Sequence, residues 1–144
     1  MKVNNTAYHN KQEDVDIYIE LKNTLNSVIP YVEKENFLND IQTIAEKLIS
    51  LSIFDECNAS ASEIFENDEV MINCFNVLGK YIQQLSEKTS CESYKKFFRL
   101  ACFYREILDS LCKLYNDARI THPGLLKESQ QQFKSSVFYA LKAY

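Results

Sequence analysis

The sequence predicts an all-α fold, a compact antiparallel bundle of four long helices and possibly one short one, on three observations. Apolar residues recur at intervals of three and four along most of the chain, the spacing of one helical face, and no strand-like alternation competes with it. Glycine and proline are scarce, 2 of each in 144 residues, too few for the turns of a many-stranded sandwich or a glycine-rich nucleotide fold. Finally, Ser60-Ala61-Ser62-Glu63 and Thr89-Ser90-Cys91-Glu92 each precede an apolar stripe. That Ser/Thr-x-x-Glu spacing lets two side chains satisfy free backbone N–H groups at a helix start. A length of 144 residues fits one domain and buries a sizeable core.

Residues 1–12 carry no apolar periodicity and read as a flexible leader, with a single helical domain over 13–144. Ile17, Leu21, Leu25 and Val28 form the first stripe, which Pro30 stops or bends because it lacks an N–H and crowds the preceding turn. Phe37, Ile41, Ile44, Leu48 and Leu51 predict a second helix from about Tyr31 or Asn36 to Ile53, followed by a loop over 55–60. A third starts near Ala61. Asn67 and Asp68 offer a second cap within it, so the pattern leaves open whether 61–88 is one helix or two. The fourth, from Tyr94 through Tyr115, is the strongest stripe, broken only by Arg105. The last follows Thr121 and Pro123, a cap and a first-turn proline, and carries Leu126, Phe133, Val137 and Ala140.

No signal peptide or membrane-spanning run is read in the sequence. The five cysteines form an odd set without a Cys-x-x-Cys pair, which suits reduced thiols in an intracellular protein, cytoplasmic or nuclear. Net charge is −4, unevenly placed. Residues 1–89 hold 7 Lys and no Arg against 15 acids, while residues 90–144 hold 9 basic residues against 5 acids. Lys95, Lys96, Arg99, Lys127 and Lys134, with Tyr94 and Phe98 among them, could therefore form a phosphate-contacting stripe with stacking rings. One exposed face would favour RNA; dispersal would favour a protein partner.

The parts for chemistry are few. The two histidines are His9, in the leader, and His122, between helices; a Ser or Cys nucleophile needs such a base beside it. Neither phosphate-cradling glycine motif occurs, and Gly79 and Gly124 stand alone. No metal or cofactor is expected. Gly79 interrupts an apolar stripe, where glycine costs about 1 kcal/mol relative to alanine. It marks either a close helix crossing inside the bundle or a groove over which a partner helix docks, with Leu78, Lys80 and Ile82 beside it.

Two short segments carry resemblances. Val77-Leu78-Gly79-Lys80 resembles the Asn-Trp-Gly-Arg element of Bcl-2-like proteins, helical bundles that bind an amphipathic helix in a groove; Val77 and Leu78 stand where that element has Asn and Trp. Asp117 to His122 resembles the Arg-x-x-x-x-His segment of HEPN-type domains, where Arg and His act in RNA cleavage. Asp117 occupies the Arg position, and Arg119 is three residues from His122. Neither match assigns a family. The expected function is a non-enzymatic protein-interaction module (an adaptor, an inhibitor or a complex subunit) binding a protein partner near Gly79, Leu78, Lys80 and Ile82, with self-association also open. The alternative is an RNA-associated domain using Lys95, Lys96, Arg99, Arg119, His122, Lys127 and Lys134.

Overall fold

The computed structural model describes residues 2–35, 37–88, 92–120 and 123–142. Their backbone forms six α-helices, α1 (Lys2–Val32), α2 (Ile41–Ile49), α3 (Ala61–Glu66), α4 (Asp68–Ser86), α5 (Glu92–Ile120) and α6 (Pro123–Lys142). Two 3-10 turns, η1 (Leu38–Asp40) and η2 (Ser52–Cys57), flank α2, and no strand occurs among the described residues. The all-α bundle expected from the periodicity is the observed fold.

Helix α1 begins at Lys2, so the backbone is helical through the stretch read as a leader, and no helix end marks residue 12. Extending a nucleated helix costs little per residue, so an apolar stripe is not required at every turn. Leu21, Leu25 and Val28 are fully buried as the stripe predicts. Pro30 does not stop the helix, which closes with the Glu33 N–H donating to the Ile29 carbonyl at 3.1 Å. Pro30 and Asn26, whose carbonyl loses its partner, both lie on the exposed side, where water can take that partner's place.

The second helix is shorter than its stripe. α2 ends at Ile49, and Leu51 turns extended (φ −65°, ψ 140°) before η2 begins. The next turn, η2, is capped from 32 residues upstream. The Glu20 carboxylate of α1 accepts from the Ser52 backbone N–H at 2.8 Å and from the Ser52 hydroxyl at 3.0 Å. It thereby satisfies the free donors of a new helical start. The stretch read as a loop over 55–60 is partly 3-10 helix, ended by Asn58 in the left-handed region (φ 47°), which asparagine tolerates better than most residues.

The 61–88 segment is two helices. The Ser60 hydroxyl accepts from the Glu63 N–H at 3.3 Å and starts α3. Asn67 then takes extended dihedrals (φ −126°, ψ 108°), and its side-chain oxygen accepts from the Glu69 and Val70 N–H groups at 3.0 and 3.4 Å, starting α4. The second predicted capping box, residues 89–92, reaches into residues 89–91, outside the described residues.

Helix α5, at 29 residues roughly 44 Å long, is the central element, with Leu100, Tyr104, Ile107, Leu108, Leu111 and Leu114 fully buried. α6 lies antiparallel to it. Phe103 meets the Tyr139 ring edge-on at 5.1 Å, and the Ser129 hydroxyl donates to Asp117 at 3.0 Å toward the other end. Ring contacts fasten the remaining elements: Tyr18 on Phe97, Phe54 on Tyr104, Phe65 stacked on Tyr115 at 4.1 Å, and Phe37 on Phe133.

Candidate functional site

The basic residues of the C-terminal half are dispersed along α5 and α6. Lys95, Lys96 and Arg99 are exposed at the start of α5, and Lys127 is exposed at the start of α6. Because Ser129 meets Asp117, Lys127 lies about 20 residues along α5 from Arg99, roughly 30 Å at 1.5 Å per residue. Lys134 lays its ammonium over the Phe37 ring at 5.5 Å, and the Arg119 guanidinium sits 5.9 Å from the Tyr115 ring centre. Of the rings that would stack on bases, Tyr94 packs edge-on against the buried Phe97 with the Lys88 ammonium at 5.3 Å, and Phe98 is partly buried against the core.

His122 lies outside the described residues. Asp117 ties α6 to α5 through Ser129. Arg105 and Arg119 are 14 residues apart on one helix, roughly 21 Å. Among the described residues no group of three His, Cys, Asp or Glu side chains is disposed to hold a metal ion.

The described cysteines, Cys57, Cys74, Cys102 and Cys112, are free thiols. Burial, and then the neighbouring Cys57, pushes Cys74 up to about 12. Burial and the Asp109 carboxylate do the same to Cys112, also to about 12. Cys102 is raised by burial and Glu106, against the pull of Arg105. At neutral pH these three are protonated, the unreactive form of a thiol.

The Gly79 region is the arrangement with an unfilled side. A Cβ placed on Gly79 would meet the Arg105 guanidinium of α5 at 3.8 Å, an ordinary contact with the tip of an exposed, flexible side chain. Gly79 is therefore not at a close backbone crossing, and the overpacking expected of a larger residue there does not follow. Of the four residues grouped in sequence, Gly79 and Ile82 share a half-buried edge of α4, Leu78 is fully buried in the core, and Lys80 projects from the polar side. Two residues that sequence reasoning did not assign to this edge complete it. Phe75, one turn before Gly79, is half-buried and lines a cleft of about 260 Å³ with Arg105, Glu106 and Asp109. Ile72 is 53% exposed. The visible signal was Arg105, the one charge in the apolar stripe of α5, opposite the one glycine in the stripe of α4.

Helical spacing explains the edge. At about 100° per residue, the apolar side chains of α4 span roughly 200°, twice the stripe that a surface helix needs. Cys74, Leu78, Tyr81 and Leu85 fill the core side, which leaves Phe75, Gly79 and Ile82 on the flank beside Arg105. Gly79→Ala is expected to raise stability by about 0.5–1 kcal/mol, because a methyl fits and the helix gains propensity. Denaturant unfolding checks it; a loss of that size would restore the close-crossing account.

Among the described residues no helix is long and apolar enough to cross a membrane. Fold and site define the class as a small all-α bundle with a partly covered apolar flank between two antiparallel helices. In comparisons with family models, curated proteins and solved structures, nothing matched this chain.

Proposed function

We propose that the chain is a non-enzymatic interaction module that takes an amphipathic helix of a protein partner along the flank of α4 formed by Phe75, Gly79 and Ile82, beside Arg105. The observation that carries this reading is the width of the apolar sector of α4. The core uses one side of it, and the flank that remains is half-buried, with Ile72 at its edge 53% exposed. Glycine at the centre lets a partner backbone come close. Docked helices use such apolar floors with i, i+3, i+4 and i+7 anchors. The free thiols suit an intracellular setting, cytoplasmic or nuclear. The RNA reading, through Lys95, Lys96, Arg99, Arg119, His122, Lys127 and Lys134, is the weaker one, because the described cations are dispersed, with Lys95, Lys96 and Arg99 at the start of α5, Arg119 and Lys127 toward its other end, and Lys134 on the Phe37 ring.

The test is capture by the intact chain from a cell extract, analysed for protein and for RNA, with two variants. Ile72→Glu places a charge on the flank at an exposed site and is expected to weaken protein capture at least tenfold, about 1.4 kcal/mol, with the circular dichroism unchanged. Lys95→Glu combined with Arg99→Glu is expected to leave capture intact. The reverse pattern, or RNA cleavage by the native chain that His122→Ala abolishes, would replace this reading with the RNA one.

A further inference from the structure

Among the described residues four large apolar side chains stand in solvent, Val15, Ile19, Ile72 and Tyr139. Three of them share one end of the bundle with a group of cations. Tyr139 of α6 is 62% exposed and meets Phe103 of α5 edge-on at 5.1 Å. Arg99 lies one turn before Phe103 and Lys96 two turns before it, both exposed on the same strip of α5. Because α6 runs antiparallel to α5, the exposed Lys142, three residues beyond Tyr139, lies toward Arg99. Helix α1 borders the same end. Its Tyr18 ring packs on Phe97, 5.1 Å between centroids, and lines a cleft of about 350 Å³ with Glu92, Lys96 and Phe97. Val15 and Ile19, an i, i+4 pair on either side of Tyr18 in sequence, are 39% and 49% exposed. Glu20 faces the other way, bound to Ser52. Among the described side chains of this end, Lys88, Lys95, Lys96, Arg99 and Lys142 outnumber Asp16, Glu87 and Glu92, which makes it a positive end on a chain of net charge −4.

We propose that this end of the bundle attaches the protein to the surface of an anionic lipid bilayer, with Val15, Ile19 and Tyr139 entering the headgroup layer and Lys95, Lys96, Arg99 and Lys142 facing the lipid phosphates and carboxylates. Such a bilayer engages both halves of the surface at once. Each Lys or Arg near it is drawn by the negative potential of the leaflet, while aliphatic side chains and a tyrosine gain by burial at the boundary between headgroups and acyl chains. A single-stranded nucleic acid would use the cations but gain nothing from Val15 and Ile19, and its bases stack on successive open rings, where this end offers Tyr139. Contact is peripheral, since no described helix is long and apolar enough to cross the bilayer. The α4 flank is a separate surface. Its Phe75 lies beside Asp109, ten residues along α5 from Arg99, roughly 15 Å, so a partner helix can dock there while the protein is held at the membrane.

The experiment mixes the full chain with vesicles of phosphatidylcholine alone, or of phosphatidylcholine with an equal part of phosphatidylserine, and measures the protein that sediments with each. The expected result is binding to the phosphatidylserine vesicles only, weakening as salt is raised. Lys96→Glu combined with Arg99→Glu should weaken it about tenfold or more. Val15→Gln combined with Ile19→Gln, at unchanged net charge, should weaken it about fivefold, and Lys127→Glu, at the far end, should leave it within about twofold. All five sites are exposed, so circular dichroism should not change. The chain has no tryptophan, which makes Tyr139→Trp a direct reporter. Its emission should shift to the blue on the phosphatidylserine vesicles, and that of Ile72→Trp should not. No sedimentation, equal binding to both kinds of vesicle, a loss from Lys127→Glu as large as that from the Lys96 and Arg99 pair, or an unshifted Tyr139→Trp would each overturn the proposal. Tight binding of a single-stranded RNA oligonucleotide in place of the vesicles would overturn it too and assign this end to nucleic acid.

Discussion

Phe133→Ala is expected to destabilise the protein by about 3–5 kcal/mol, the range for truncating a fully enclosed aromatic ring. Phe133 is fully buried on α6, and its ring packs on Phe37, 5.6 Å away between centroids, in the segment that joins α1 to α2. Lys134, next along α6, lays its ammonium over the same Phe37 ring. Phe133 therefore helps hold the last helix to the first half of the chain, beside the packing of α6 on α1. Domains of this size are stable by about 5–15 kcal/mol, so the loss takes a large share of the total. Urea unfolding followed by circular dichroism measures it. A change under 1 kcal/mol would mean that α6 is held by its other contacts with α5 and α1.

Tyr104→Phe is expected to act in the opposite direction, raising stability by about 1–3 kcal/mol. Tyr104 is fully buried at the centre of α5, and its hydroxyl has no hydrogen-bond partner among the described residues. An unpaired buried hydroxyl keeps the desolvation cost without the compensating bond. Burial raises the phenol well above its ordinary value, and the Glu20 carboxylate and Cys74 add to the shift. The direction of the pH dependence follows. Below about pH 10 the phenol is neutral whether the chain is folded or not. Above it the unfolded chain releases the proton and the folded chain cannot, so the native protein loses stability with rising pH and the phenylalanine variant escapes that contribution. The advantage of Tyr104→Phe should therefore widen above about pH 10, as paired unfolding curves at neutral and alkaline pH would show. A loss of stability at neutral pH would establish that the hydroxyl is bonded.

Periodicity was enough to read the helical class, because one face of each long helix must be apolar to be buried. Leu21, Leu25 and Val28 of α1, Phe97, Ala101, Leu108, Leu111 and Cys112 of the α5 stripe, and Phe133, Val137 and Ala140 of α6 lie in the core as their spacing implies, while Tyr94, Phe98, Cys102 and Tyr115 of that stripe are only partly buried and Arg105 is exposed. Local capping was legible where the bond spans two or three residues, as at Ser60 and Asn67. The α4 flank was half legible. Gly79 announced itself as a costly residue in a stripe, and Ile82 shares its edge, but Leu78 turned out to serve the core and Lys80 the solvent. One hydrophobic stripe looks the same whether a neighbouring helix covers its whole width or leaves an edge.

What the sequence by itself determined is local: which segments are helical, where a side chain can cap its own helix, and that the chain is poor in histidine and glycine. What only the tertiary structure decided depends on groups distant in the chain. Glu20 caps Ser52 at the start of η2. The Arg105 guanidinium of α5 comes within 3.8 Å of where a Gly79 Cβ would stand. Antiparallel pairing of α5 with α6 sends Lys127 to the far end from Arg99. Spacing along a helix constrains which face a residue occupies; which residue it meets is decided when the faces pair, and that pairing has no local signature in the chain.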